Sequence, residues 1–155
     1  MDKARKSELV ELADMLANSW LDPVNPVRID SRFFPVSRAE AYLVQDYMHK
    51  TLQQGMVGWK VGATSARMRE IDGHEDVIPG RIFESRSYFG SHHNLPIKHF
   101  PGARAEAEFA FQLTAKPHLR QKPWTASEME TMLLLHPAIE VIGNRYTIEG
   151  ASKLE

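Results

Sequence analysis

Two glutamates separated by one residue give the clearest chemical signal in the sequence. Glu106 and Glu108 lie in the segment 104–111, RAEAEFAF, whose polar and apolar residues alternate as they do in a β-strand. Successive strand side chains point to opposite faces, so both carboxylates share one face and lie about 7 Å apart. A hard divalent cation between them would relieve their repulsion and accept their oxygens as ligands. The alternative is a half-exposed strand whose polar face simply carries glutamates.

Glu140 is a third acidic candidate, because all its neighbours in the segment 137–142, PAIEVI, are apolar. This pattern predicts a buried strand over residues 138–142, where an unpaired carboxylate would be costly. Glu140 therefore needs a cation, which is either the side chain of Arg145 or a metal ion shared with Glu106 and Glu108. Three carboxylates in a chain without cysteine favour Mg²⁺ or Mn²⁺ over zinc or copper.

Lys60 is the basic candidate. It stands in the middle of a short β-prone segment, 57–62, VGWKVG, and Gly58 and Gly62 flank it at positions where a ligand could approach the backbone closely. A lysine in that setting can serve as an acid, a base or an anchor for a substrate carboxylate. The alternative is a strand lysine that faces water.

The elements that must position these side chains follow from periodicity and capping signals. Apolar residues at helical spacing predict a helix over 3–18, and Ser37 followed by Glu40 is a capping box that opens a second helix ending at Gly55. A short helix is expected over 64–71, loops and short strands over 79–101, a strand over 104–113, and a helix from the Thr125 capping box to Leu135. The fold class is α/β (α+β), with a helical region over residues 1–55 and the first part of a β-rich core over residues 56–155.

Composition narrows the class of protein. The 155 residues contain 43% hydrophobic and 25% charged residues, which is typical of a soluble globular domain. The net charge of −1 gives no general attraction to nucleic acid or to an anionic membrane. The absence of cysteine, of a secretory signal and of a long apolar segment predicts a cytoplasmic protein.

Four segments together resemble the fumarylacetoacetate hydrolase superfamily, and within it the branch of 2-keto-4-pentenoate hydratases and 4-oxalocrotonate decarboxylases. The segments, in chain order, are GWKVGATS (58–65), GRIF (80–83), RAEAEF (104–109) and PAIEVIGNR (137–145). The resemblance implies a mixed, β-rich core in which Glu106, Glu108 and Glu140 bind Mg²⁺ or Mn²⁺. It also implies an acid–base or substrate-contacting role for Lys60. Thr64, Ser65 and Arg145 are predicted substrate contacts within the same segments.

The resemblance further implies an enzyme acting on small 2-oxo or 2-hydroxydienoic acids, with a hydratase-like lyase as the first expectation. An acylpyruvate-type C–C hydrolase, a 2-oxo acid decarboxylase and a truncated, non-catalytic homologue are the alternatives. The sequence departs from the hydratases before Gly80, where VIP (77–79) lacks the aspartate that they commonly carry. Family members are also longer, so the sheet is expected to be incomplete in one chain and the protein to form a homo-oligomer. Leu154 and Glu155 are interpreted as a cloning remnant.

Overall fold

The computed structural model describes residues 1–148, so Leu154 and Glu155 lie outside the described residues. The described helices are α1 (Lys3–Leu21), α2 (Arg38–Leu52), α3 (Ala66–Asp72) and α4 (Ala126–Glu130). The described strands are β1 (Val27–Ile29), β2 (Met56–Gly62), β3 (Ile78–Phe83), β4 (Arg104–Leu113), β5 (Leu133–Ile142) and β6 (Tyr146–Ile148). The predicted class, with N-terminal helices followed by strands, is confirmed.

The two N-terminal helices supply most of the core. Leu9, Leu12 and Ala13 of α1 are buried against Val44 of α2. The N-cap of α2 is Ser37, as predicted, since its side chain accepts the N–H of Glu40. The Glu40 carboxylate does not complete the box in the usual way, because it accepts the N–H of Val36 at 3.0 Å.

Arg5 joins α1 to α2 and to the segment between them. Its guanidinium lies 2.7 Å from the Glu40 carboxylate and donates to the carbonyl oxygens of Arg32 and Phe34 at 3.0 and 2.6 Å. Hydrogen bonding to Arg5 lowers the pKa of Glu40 below its ordinary value. This set of charge-assisted hydrogen bonds fixes the angle at which the chain enters α2.

The described strands form three two-stranded sheets. β2 and β3 are antiparallel, β4 and β5 are antiparallel, and β1 pairs with β6 in parallel. Phe83, at the end of β3, is buried with Ala17 of α1 and Leu52 of α2. The β2–β3 hairpin therefore packs on the helical pair, and this contact crosses the domain boundary predicted at residue 55. That boundary stays a prediction.

The hairpin has two further attachments to α2. Arg81 pairs with Asp46, and Arg38 donates to the carbonyl oxygen of Val77 just before β3. Arg81 also lies 5.4 Å from the ring centroid of Trp59, its cross-strand partner. These contacts occupy one face of the hairpin and leave the face that bears Lys60 directed away from them.

Several sequence-based boundaries differ from the structure, and those of three helices are instructive. Helix α1 extends to Leu21, and α2 ends at Leu52 because Gln53 adopts a left-handed conformation with φ 51°. The largest difference is α4, which stops at Glu130 although a helix to Leu135 was predicted. The apolar run after it joins β5 instead, where Leu133 pairs with Leu113. Backbone pairing along β4 outweighs the helical spacing of that run.

The prediction that residues 138–142 form a buried strand was correct for the strand and wrong for its burial. Ile139 is 74% exposed, and on the same face of the β4–β5 ladder Phe109 and Phe111 are 77% and 63% exposed. Within residues 1–148, nothing covers this apolar face. No helix in this part of the chain is long and apolar enough to cross a membrane.

Candidate metal centre

The β4–β5 ladder brings the three predicted metal ligands together. Its register places Glu106 directly opposite Glu140, and Glu108 follows two residues later on the same face of β4. One carboxylate oxygen from each residue lies within 4.8 Å of the other two. The two segments are joined by a ladder of ten residue pairs, so the backbone fixes the spacing of all three side chains.

The donor set fits a hard divalent cation. Mg²⁺ takes oxygen ligands at about 2.1 Å, so two ligands on opposite sides of the ion lie roughly 4.2 Å apart. The three oxygens lie within 4.8 Å of one another, so small side-chain movements would bring every pair to that distance or closer, as binding to one ion requires. Glu108 and Glu140 are about one-third exposed, and Glu106 is more exposed. Coordination positions on the solvent side would therefore be open to water or to a ligand.

Lys60 completes the arrangement from the neighbouring hairpin. Its ammonium contacts a carboxylate oxygen of Glu108 and lies 3.0 Å from Oε2 of Glu140. Glu140 therefore has a cationic partner, and that partner is neither of the two considered from the sequence. Arg145, the side chain considered there, lies elsewhere.

The protonation state of Lys60 follows from these contacts. Partial burial on its own disfavours the charged form, but the hydrogen bonds to Glu108 and Glu140 outweigh it and raise the pKa of Lys60 above its ordinary value. Lys60 is thus an ammonium in the metal-free protein, and it neutralises part of the acidic cluster. In this state it can donate a proton or bind an anion, whereas acting as a base would require that it first lose its contacts.

Thr64 and Ser65 lie in the turn that follows β2. Ala63 begins the turn with φ 54°, a left-handed conformation that is uncommon for residues other than glycine. Arg69 stabilises it by donating to the carbonyl oxygens of Ala63 and Thr64 at 2.9 and 3.0 Å. The hydroxyl of Ser65 accepts the N–H of Met68 as the N-cap of α3. Ser65 thus has a structural role, and its hydroxyl proton is still available to a ligand.

Arg145 lies against the C-terminal part of α1. Its guanidinium carbon is 4.1 Å from the ring centroid of Trp20, and its Nε is buried without a hydrogen-bond partner among residues 1–148. Burial, and then the charge of Arg86, lower the pKa of Arg145. The backbone carbonyl of Arg145 accepts hydrogen bonds from Ser19 and from the N–H of Val27. Its contacts are therefore with α1 and β1, and its predicted role as a substrate contact stays a prediction.

Sequence reasoning missed two features of the site. The first is the pairing of Lys60 with Glu108 and Glu140, which depends on how the β2–β3 hairpin and the β4–β5 ladder face each other. The second is Gly80, which lies directly opposite Lys60 in the β2–β3 ladder. A signal for both was present, since the segments that contain Lys60, Gly80 and the glutamates all belong to the resemblance described above.

No protein-family model matches this chain, and no curated protein matches it. The resemblance to the fumarylacetoacetate hydrolase superfamily therefore rests on the four sequence segments, three of which carry residues of the acidic cluster or its lysine.

Proposed function

We propose that the protein binds Mg²⁺ or Mn²⁺ through Glu106, Glu108 and Glu140 and uses the ion to bind small 2-oxo acids. The observation that carries the proposal is the cluster of three carboxylates from two paired strands, two of which contact the ammonium group of Lys60. Such a cluster retains a net negative charge, which a divalent cation would offset. A bound ion of this kind would polarise the 2-oxo oxygen of the ligand.

The side chains around the ion would then have two different roles. The three glutamates hold the cation, and Lys60 supplies an ammonium beside it that can bind the carboxylate of the acid or transfer a proton from Nζ. This pairing of a divalent cation with a proton donor suits a hydratase-like lyase acting on 2-hydroxydienoic acids. C–C hydrolysis of acylpyruvates and decarboxylation of 2-oxo acids use the same arrangement and are the alternative reactions.

The exposure of the cluster favours a second candidate function, in which the protein binds the ligand but turns it over slowly. Lys60, Glu108 and Glu140 are all about one-third exposed. Hydration and C–C cleavage depend on a site that excludes bulk water and strengthens electrostatic interactions. In the part of the chain that the structure describes, the acidic cluster is open to solvent, so ligand binding is expected to exceed catalysis.

Titration of the metal-free protein with Mn²⁺, followed by electron paramagnetic resonance, tests the metal site. One Mn²⁺ ion per chain is expected, and Glu108→Gln should weaken its binding at least tenfold while preserving the shape of the side chain. Oxalate and pyruvate should then bind only in the presence of Mn²⁺. Wild-type affinity for Mn²⁺ in the Glu108→Gln protein would refute the proposal.

The reaction itself is tested by following the absorbance of 2-hydroxypenta-2,4-dienoate with Mn²⁺ present. Slow turnover that disappears in Lys60→Met would support the hydratase assignment. Metal-dependent binding with no turnover of the dienoate, an acylpyruvate or a 2-oxo acid would instead identify a binding protein.

We also propose that the protein is cytoplasmic and acts as a homo-oligomer.

A further inference from the structure

The face of the β2–β3 hairpin that bears Lys60 has glycines at three positions next to this lysine. Gly58 and Gly62 lie two residues to either side of Lys60 on β2, and Gly80 lies directly opposite on β3. Directly opposed residues of an antiparallel pair share a face, as do residues two apart on one strand. The side chain of Lys60 therefore rises from a floor of three glycines.

Neither backbone conformation nor close packing accounts for the glycine at position 80. The backbone there is not left-handed, and a Cβ atom added to Gly80 would meet no heavy atom of the described residues within 4 Å. Gly143 shows the opposite situation, because a Cβ there would lie only 2.9 Å from Cα of Phe100. A glycine inside a strand costs stability. At position 80 it leaves a space beside Lys60 that the fold does not need.

Two apolar side chains flank this space along β3. Ile78 and Ile82 lie on either side of Gly80 on the same face of β3 and are half-buried. Their Cα atoms are about 13 Å apart along the strand, which leaves room for one small molecule between the two side chains. A Cβ added to Gly58 or Gly62 would meet Ile82 or Ile78 at ordinary contact distance, so the open space is centred on Gly80.

We propose that Gly80 forms the floor of a slot for the hydrocarbon part of the ligand and thereby selects short, unbranched 2-oxo acids. This inference rests on the proposed function, since the metal ion and Lys60 would hold the polar end of the acid. The apolar chain would then lie over Gly80 between Ile78 and Ile82. Gly80 is a specificity-determining residue in this arrangement and takes no part in proton transfer.

The test compares two ligands in Gly80→Ala and Gly80→Val proteins loaded with Mn²⁺. Oxalate has no hydrocarbon chain, whereas 2-oxopentanoate has one that would reach the slot. Gly80→Val should weaken 2-oxopentanoate binding at least tenfold, Gly80→Ala should weaken it less, and oxalate and Mn²⁺ should bind as they do to the wild type. Ala107→Val is the control, because it adds comparable bulk to β4 on the face that points away from Glu106 and Glu108. Its ligand affinities should not change.

Other outcomes would overturn the inference in distinguishable ways. Wild-type affinity for 2-oxopentanoate in Gly80→Val would show that the space is not the ligand slot. Loss of Mn²⁺ affinity in that variant would show that the space serves the metal site or the movement of Lys60. If Gly80→Val does not fold, the added methyl of Gly80→Ala, which meets no neighbour, carries the comparison. Failure of the wild type to bind Mn²⁺ or oxalate would refute the proposed function itself.

Discussion

Glu106 and Glu140 are directly opposed across the β4–β5 ladder, and their carboxylates lie on the same face. Opposed like charges destabilise an antiparallel pair by about 0.2–1 kcal/mol. In the metal-free protein, Glu106→Gln should therefore raise the free energy of unfolding slightly. The same change should reduce the stabilisation that Mn²⁺ gives. Urea unfolding with and without Mn²⁺ measures both effects, and Glu130→Gln, at an exposed helical position, is the control. Equal Mn²⁺ stabilisation in wild type and Glu106→Gln would exclude Glu106 as a ligand.

Lys60→Met should have opposite effects on metal affinity and on metal-free stability. Without the ammonium, Glu108 and Glu140 lose their cationic partner, which should cost about 1 kcal/mol or less because the pair is partly exposed. Mn²⁺ no longer competes with the ammonium for the same oxygens, so it should bind more tightly. Calorimetric titration and thermal unfolding measure the two changes. Lys116→Met removes the same charge at an exposed site and should leave both unchanged. Weaker Mn²⁺ binding in Lys60→Met would mean that Lys60 supports the metal site.

Glu128 should titrate far below an ordinary glutamate. Hydrogen bonds from Arg120, and then from the backbone and side chain of Thr125, lower the pKa of Glu128 to about 2. Because this pKa is depressed in the folded state, the stabilisation is complete above the unfolded-state pKa of roughly 4.3 and declines as the pH falls towards 2. Carboxyl-carbon NMR titration should show the low pKa directly. Glu128→Gln should lower stability at pH 7 and have less effect near pH 2. An NMR pKa close to 4 would contradict the contact with Arg120.

Gly143→Ala should be clearly destabilising, in contrast to Gly80→Ala. A Cβ at residue 143 would lie 2.9 Å from Cα of Phe100, which is buried. The backbone at residue 143 or at Phe100 would therefore have to shift. Overpacking of this kind costs about 1–3 kcal/mol. A Cβ at residue 80 has no neighbour within 4 Å in the part of the chain that the structure describes, and replacing a strand glycine by alanine should be neutral or stabilising. Urea unfolding of the two variants compares them directly, and equal stabilities would contradict the difference in packing.

The apolar face of β4–β5 leads us to predict self-association. Phe109 and Phe111 are largely exposed on this face together with Ile139. Replacing both phenylalanines by serine should reduce the mass measured by light scattering if a second copy covers them. Glu108→Gln changes the opposite face of the same strand and should leave the mass unchanged. A wild-type mass equal to that of one chain would contradict the prediction.

Secondary structure with a regular pattern could be predicted well from the sequence, and tertiary contacts less well. Strand β4 was predicted with its observed ends, because strict alternation with two same-face glutamates fits only one periodicity. The run 132–135 could continue a helix or begin a strand, and only its pairing with β4 decides between them. The contact of Lys60 with Glu140 joins segments far apart in the chain, and no local pattern encodes it. The isolation of Glu140 correctly predicted that it needs a cation, but not which one.

The parallel pairing of β1 with β6 has a consequence for how the chain folds. Val27 pairs with Tyr146, so the partner of β1 is a strand that is synthesised much later than β1 itself. Helices α1 and α2 can pack as soon as they are made, since their contacts are nearby in sequence. Until β6 has been synthesised, however, β1 offers unpaired backbone groups to any extended peptide. A nascent chain stalled before Tyr146 should therefore be a preferred target for chaperones that recognise exposed strand edges.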